Sequence, residues 1–572
     1  MNLIIFDKSF NSINLINLKK NILKDNKNYV INFCYDDLFI PDWLIYKNLD
    51  ISNSIFSQYK NKSDYIVSKI KKELLLNPVF AEYKFSEINY SDNIWEIYYT
   101  ILAIKSVIKI KKIKKIFFFS NVKNNYLSSA LKENFKNIYI HSYKYNNFYH
   151  KLQNLIKIYL IFFNNFLQEF LLSLTLLIFY KAKIVKKQKF LYANFPNHWD
   201  IKKKNYKILE KNKKNIYLVS LLRNNSNLLK KFTNFFLLKS SNIQNIIILE
   251  SYSNPLDIIY IYSKNLLNKN KNITIRLLSE LKLGFTNNDI ERNYRLIERS
   301  KNETFLKNLN RFNKFNKPKI IAYPFFEFID GRLLSKFCKN SKILSLGFQH
   351  SYLLANNYSR FFDAIKSIYK SSLINYLPNK IFVESSFVKK NLSILKSNKI
   401  EYYGSFRLQN MYFIKKINKS NNNILFIMDL HNKKYLEQII KKIKQTDKSE
   451  IYVRPHPLYY KEYKYKKFEN LNINVDIYKN LSDSIRKNKI KYVIISNSTS
   501  AFIDLLNTKL DIIIYKIPNY IRDNSILDKY FYSIKNINDL SNLKYNKKMT
   551  IPKNIFLPKK ITTNDFFKKY TI

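Results

Sequence analysis

Short apolar runs, rich in β-branched and aromatic side chains and each ending in polar residues, recur along the whole chain. Residues 3–6, 29–33, 115–119, 138–141, 190–193, 216–220, 246–249, 319–322 and 343–346 have this form. After Pro378 it returns at 380–383, 400–403, 424–428, 450–453, 491–495 and 511–515. Near-continuous apolar runs read as strands buried on both faces, as in a parallel sheet. Longer stretches with helical spacing separate several of them, so the pattern predicts an α/β protein.

Residues 152–187 break that rhythm. Two apolar runs, 155–163 and 170–180, are interrupted by Lys157, by Asn164-Asn165 and by Gln168-Glu169. Neither run reaches the roughly 20 residues that a spanning helix needs. Lys181, Lys183, Lys186 and Lys187 crowd the far end. The segment is expected to be an interfacial helix or helical hairpin on an anionic leaflet, or else a pair of core helices bridging subdomains. The expected organisation is an N-terminal α/β region (1–150), this apolar helical segment (151–188), an α/β domain (189–355), a second α/β domain (360–545) and a C-terminal tail (546–572).

Polar loops at the strand ends carry the candidate chemistry, because ligands of open α/β sheets bind outside the carboxyl ends of strands. Arg454-Pro455-His456-Pro457 follows one predicted strand, and Ser496-Asn497-Ser498-Thr499-Ser500 follows another. The two are expected on neighbouring strand ends. Prolines on both sides of His456 forbid a regular element and hold the imidazole in a stiff turn. His456 and Arg454 can both donate to a phosphate. The hydroxyl cluster runs into a predicted helix start that includes Asp504, where the helix dipole favours an anion. One hydroxyl suffices for a helix cap; four of these five residues carry one.

Three further loops follow strands. Tyr323-Pro324-Phe325-Phe326-Glu327-Phe328-Ile329-Asp330-Gly331 offers two carboxylates among aromatics, candidates for a general base or for complementing a helix N-terminus. Gln349 and His350 in Gly347-Phe348-Gln349-His350 can read a sugar or base. Gly404-Ser405-Phe406-Arg407 places Arg407 where a phosphate or carboxylate can pair with it. Glycine occurs only four times in 572 residues. Those few are expected where the backbone needs positive φ or approaches a ligand, or else in ordinary turns.

Composition changes the picture little. Net charge is +57, from 99 lysines and arginines against 42 acids, which suggests a nucleic-acid binder. The lysines are scattered, however, and the swollen content of Lys, Asn, Ile, Phe and Tyr is what A/T-rich codons produce. Nucleic acid is therefore not the expected partner, whereas an anionic membrane surface remains compatible with the charge. Two cysteines, Cys34 and Cys338, are too few for a disulfide framework or a thiolate metal site. The first residues read as a strand and not as a signal peptide, so a cytoplasmic location is expected, peripheral on the inner face of the plasma membrane if 152–187 docks there. No phosphate-binding P-loop, Gly-rich dinucleotide fingerprint, His-Glu-x-x-His zinc motif or nucleophile elbow is present.

The Arg-Pro-His-Pro loop followed by the hydroxyl-rich strand end resembles the donor half of two-Rossmann (GT-B) glycosyltransferases that build bacterial surface polysaccharide. Capsule Kdo transferases, sialyl- and polysialyltransferases and polyglycerol-phosphate polymerases are the similar groups. The Tyr-Pro-Phe-Phe-Glu and Gly-Phe-Gln-His segments resemble other surface-carbohydrate biosynthesis proteins. The resemblance covers about residues 318–520. It implies two Rossmann-like domains facing across a cleft, with the apolar helical segment as an insertion. It implies donor-phosphate contacts from His456, Ser498, Thr499 and Ser500, and a base at Asp330, which precedes a glycine, or at Glu327.

The resulting expectation is a metal-independent, inverting glycosyltransferase without a cofactor. Its donor would be a nucleotide sugar, a CMP-activated nonulosonic acid or Kdo, and its acceptor a lipid-linked or growing surface glycan. Glu327, Asp330 and His350 are the catalytic candidates. Arg454, His456, Ser496, Ser498, Thr499, Ser500 and Arg407 would bind donor, with Gln349, Gly404 and Asp504 nearby. The alternatives are a CDP-glycerol-type glycerophosphotransferase and a non-catalytic basic protein on membrane or nucleic acid.

Overall fold

A computed structural model describes residues 1–6, 28–32, 46–49, 100–102, 104–119, 126–143, 147–180, 182–185, 189–194, 216–223, 228–240, 246–268, 292–324, 326, 329–348, 372–383, 389, 392, 399–402, 423–428, 450–455, 474–476, 481–496, 505, 510–515 and 532–534. Three parallel sheets organise them. The first contains β1 (Asn2–Phe6), β2 (Asn28–Asn32), β3 (Tyr46–Asn48), β4 (Lys115–Phe119) and β5 (Tyr139–Tyr143), in the order β3-β2-β1-β4-β5. The second contains β6 (Lys189–Asn194), β7 (Ile216–Ser220), β8 (Ile246–Ile248), β9 (Ile320–Pro324), β10 (Leu344–Phe348), β11 (Lys380–Val383) and β12 (Ile400–Tyr402). Its order is β12-β11-β10-β9-β6-β7-β8. The third contains β13 (Asn423–Ile427), β14 (Ile451–Arg454), β15 (Asn474–Val475), β16 (Ile490–Ser496), β17 (Asp511–Tyr515) and β18 (Tyr532–Ile534), in the order β15-β14-β13-β16-β17-β18.

The helices are α1 (Tyr126–Asn134), α2 (Asn147–Phe179), α3 (Leu228–Ser240), α4 (Pro255–Leu267), α5 (Ser300–Asn316), α6 (Ile329–Asn340) and α7 (Leu481–Lys487). The α/β expectation holds, and every predicted strand is present. Central strands such as Leu3–Phe6 and Val493–Ile495 are fully buried, which is why their sequences are continuously apolar. The cleft-facing arrangement of two domains is not among the described relationships.

Strands β11 and β12 correct one grouping. The sequence pattern attached them to the strands that follow, but Leu346 pairs with Lys380 and Ile381 with Ile400, so both belong to the second sheet. Periodicity identifies a buried strand; it does not say which sheet the strand joins. Gly404 and Arg407, which follow β12 in sequence, lie outside the described residues.

Helix α2 decides between the forms expected of residues 152–187. It runs unbroken for 33 residues, so of the expected forms the single helix is present and the hairpin and the helix pair are not. The polar residues at Asn164-Asn165 and Gln168-Glu169 are all compatible with a helix: Gln168 accepts from Lys231 at 2.6 Å, Glu169 is buried, and Asn164 is exposed. Within α2, Leu155–Phe179 is long and apolar enough to cross a membrane by length and composition. Its inner face is committed to the protein. Leu172 and Leu176 pack with Tyr217, Val219, Phe235 and Ile248, while Phe162 packs with Ile258, Tyr262 and Leu296.

Around β9 the core is aromatic. Phe190, Phe312, Tyr323, Phe326 and Phe337 join one cluster with Leu333 and Leu334 of α6. Lys317, in the left-handed region at φ 45°, ends α5 and turns the chain into β9. Gly347 sits inside β10 and not in a turn. A Cβ there would lie 2.7 Å from Phe326 Cβ and 2.7 Å from Pro378 Cγ, so close side-chain packing excludes any larger residue.

Candidate functional site

At the third sheet, β13 lies between β14 and β16. Ile427 pairs with Arg454 on one side and with Ile495 on the other. The Met428 N–H donates to the Arg454 carbonyl at 3.0 Å, extending the ladder one residue beyond β13. The chain thus leaves the sheet at Pro455 and at Ser496 on the same carboxyl edge. These two ends are next-but-one and not adjacent as expected, roughly 10 Å apart for two strand spacings.

Arg454 has a protein partner that sequence reasoning missed. Its NH1 pairs with Oδ2 of Asp476, whose side chain is fully buried, while the Arg454 side chain is 21% exposed. The Asp476 N–H also donates to the Val453 carbonyl at 2.8 Å, so the carboxylate is fixed by the edge of the sheet. Pro455 is buried, which anchors the start of the stiff loop. Ser496 is the last residue of β16, opposite Tyr515 of β17. Leu505 lies in the core. His456, Ser498, Thr499, Ser500 and Asp504 lie outside the described residues.

The second sheet carries a polar cluster at its own carboxyl edge. Asp330 stands in the first turn of α6, where a helix N-terminus favours a carboxylate. Its Oδ1 receives Arg223 Nε at 2.6 Å and NH2 at 2.5 Å, with both side chains largely buried. Arg223 also donates from NH1 to Asn302 Oδ1 at 2.9 Å and lies 4.9 Å over the Phe305 ring. The guanidinium therefore ties the end of β7 to α5 and α6. Glu327, Gln349 and His350 lie outside the described residues.

Behind Arg223, the buried Glu250 carboxylate closes the turn after β7. It accepts from Ser220 Oγ at 2.5 Å, from Leu221 N–H at 2.9 Å and from Leu222 N–H at 3.0 Å. Burial raises its pKa despite those donors. Glu169 of α2 is buried too, and burial pushes its carboxyl up to about 7 against the pull of Lys301, Thr304, Tyr262 and Arg223. Lys231 is pushed down to about 8 by burial and by Lys301, with Glu169 and Glu250 opposing. None of these was singled out as a site residue from sequence. Glu169 was noted only as an interruption, yet an acid within an apolar helix was the available signal. Among the described residues, no group of three or more His, Cys, Asp and Glu side chains is placed to hold a metal ion.

No protein-family model matches the sequence, and no curated protein matches it. Solved structures do. The chain is similar to the glycotransferase of kitacinnamycin at 7% identity and a TM-score of 0.35, covering 62% of this chain and 91% of that one. It is similar to MurG of Acinetobacter baumannii at 11% identity and a TM-score of 0.36, covering 63% and 90% respectively. The calicheamicin glycosyltransferase CalG4 follows at 9% identity and a TM-score of 0.31, covering 61% and 86%.

Proposed function

We propose that the protein transfers a sugar from a nucleotide-activated donor to a glycan acceptor. The observation that supports this reading is the third-sheet edge. There β13 lies between the ends of β14 and β16, from which the Arg454–Pro457 and Ser496–Ser500 segments continue in sequence. His456 and the hydroxyls of Ser498, Thr499 and Ser500 would hold the leaving phosphate and stabilise the charge that builds on it. Arg454, already paired with Asp476, serves mainly to fix the base of its loop. The donor is a CMP-activated nonulosonic acid or Kdo, and the acceptor a lipid-linked or growing surface glycan. Glu327 deprotonates the acceptor hydroxyl, which displaces the nucleotide with inversion. Asp330 shapes the α6 start through Arg223 and is the second candidate for the base.

Incubation with CMP-, UDP- and GDP-sugars and a mixed glycan acceptor tests the proposal, with release of free nucleotide as the readout. Acceptor-dependent release of CMP is expected. Release of none of the three nucleotides would overturn it.

A further inference from the structure

The outward face of α2 is apolar where a helix in water would be polar. Ile156, Leu160, Phe163, Leu167, Leu174 and Ile178 are all exposed. Their spacing of three, four or seven residues places them on one stripe, about 33 Å long at 1.5 Å per residue. Of the polar residues of α2, Glu169 and Ser173 point inward and are buried, whereas Lys157 and Asn164 are exposed. A surface helix of a soluble protein carries polar residues on its outward face.

Helix α4 packs against α2 through Tyr262, whose ring lies 5.2 Å from Phe162 and 5.4 Å from Phe166. Its own outward residues are again mostly apolar: Leu256, Ile259, Tyr260 and Leu267 are exposed. Two packed helices therefore present apolar outer faces. Contiguous apolar patches above a few hundred Å² are uncommon on monomers and mark interaction surfaces.

We propose that the outward faces of α2 and α4 form a docking surface for an anionic lipid bilayer, with α2 lying in the plane of the interface. This surface is separate from the proposed donor site. Charge selects the occupant. The chain carries +57, so a second copy would bring two strongly cationic bodies together, whereas an anionic leaflet supplies the counter-charge. Lys157 on α2 and Lys230 on α3 are exposed. Among the described residues of α2, α3 and α4, the only acids are the buried Glu169 and Asp257, which pairs with Arg311 at 2.6 Å. Tyr260 supplies an amphipathic ring of the kind favoured at headgroup level. A spanning pose is excluded by the inner face, because insertion would strip Leu172, Leu176 and Phe162 from their clusters and carry Glu169 into hydrocarbon.

The test is sedimentation of the full chain with phosphatidylglycerol-containing vesicles at low salt and at 1 M salt, where the Debye length falls to about 3 Å. The combined variant Leu160→Gln, Leu167→Gln and Leu174→Gln keeps the charge and touches only exposed positions. Leu256→Gln with Leu267→Gln tests the α4 side separately and stands in if the first variant loses its helical circular dichroism. The wild type is expected to keep substantial binding at 1 M salt, and the variants to lose it by about tenfold or more. Complete release of the wild type at 1 M salt, or equal binding by both variants, would show attachment by charge alone and overturn the proposal. So would a lipid-free dimer that the α2 variant converts to a monomer, because a second copy would then cover the face.

Discussion

The Arg454 guanidinium pairs with the fully buried Asp476 carboxylate across the β14–β15 edge, and the Asp476 N–H returns to the Val453 carbonyl. One acid thus fixes both the backbone and the last side chain of the strand that launches the His456 loop. Removing one partner of a largely buried pair is costly, so Asp476→Ala is expected to lower stability by about 3 kcal/mol. Urea unfolding of the variant checks this. An unchanged midpoint would mean that the loop is anchored by Pro455 alone.

Asp330 and Glu327 separate by experiment. Glu327→Gln is expected to keep its unfolding midpoint and lose about 10²–10⁴-fold in turnover, the contribution of a general base. Asp330→Asn takes the carboxylate charge away from Arg223 and is expected to destabilise by about 1–3 kcal/mol, with the smaller loss of turnover. Near-normal turnover in Glu327→Gln, with donor binding intact, would transfer the base to Asp330 or His350.

Most of the fold was legible because buried parallel strands write themselves as continuous apolar runs. The three unpredicted strands are all sheet edges: Tyr46–Asn48, Asn474–Val475 and Tyr532–Ile534. Each is only two or three residues long and its sequence is mixed, so it carries no run to read, whereas the edge strand Ile246–Ile248 is apolar and was read. The ends of β14 and β16 were legible for the same reason, because each run stops where polar residues begin. The Arg223–Asp330 pair and the Glu250 turn were not, because their members are separated by 107 and by 28 to 30 residues and no local spacing links them. The sequence left a single helix, a hairpin and a helix pair open over 152–187, because polar residues such as Gln168 and Glu169 fit inside a helix as readily as between two.

Glu169 gives the fold a pH dependence of known sign. Its folded pKa, about 7, lies above the ordinary value of 4.5, so the folded state holds the proton more tightly than the unfolded chain. Its contribution is fully present below about pH 4.5 and is lost as pH rises through about 7. Glu169→Gln is expected to raise the Tm relative to wild type at pH 8 and to bring no such gain at pH 4.5. Melting curves of both proteins across that range check it; a constant difference at all pH values would contradict it.

Gly347→Ala is expected to cost about 1–3 kcal/mol through overpacking against Phe326 and Pro378. A thermal melt reads the loss directly. No loss would mean that the β9–β10 layer gives way without strain, and that the glycine is kept for another reason.

Binding of CMP to the intact protein, measured by titration calorimetry alongside His456→Ala and Ser498→Ala, tests the central claim most directly. Wild-type binding with a loss on the order of tenfold or more in each variant is the expected result, since each removes a donor to the phosphate. Equal affinity in all three proteins, or no binding of CMP, CDP, UDP or GDP to the wild type, would contradict a donor site at the carboxyl edge of β14 and β16.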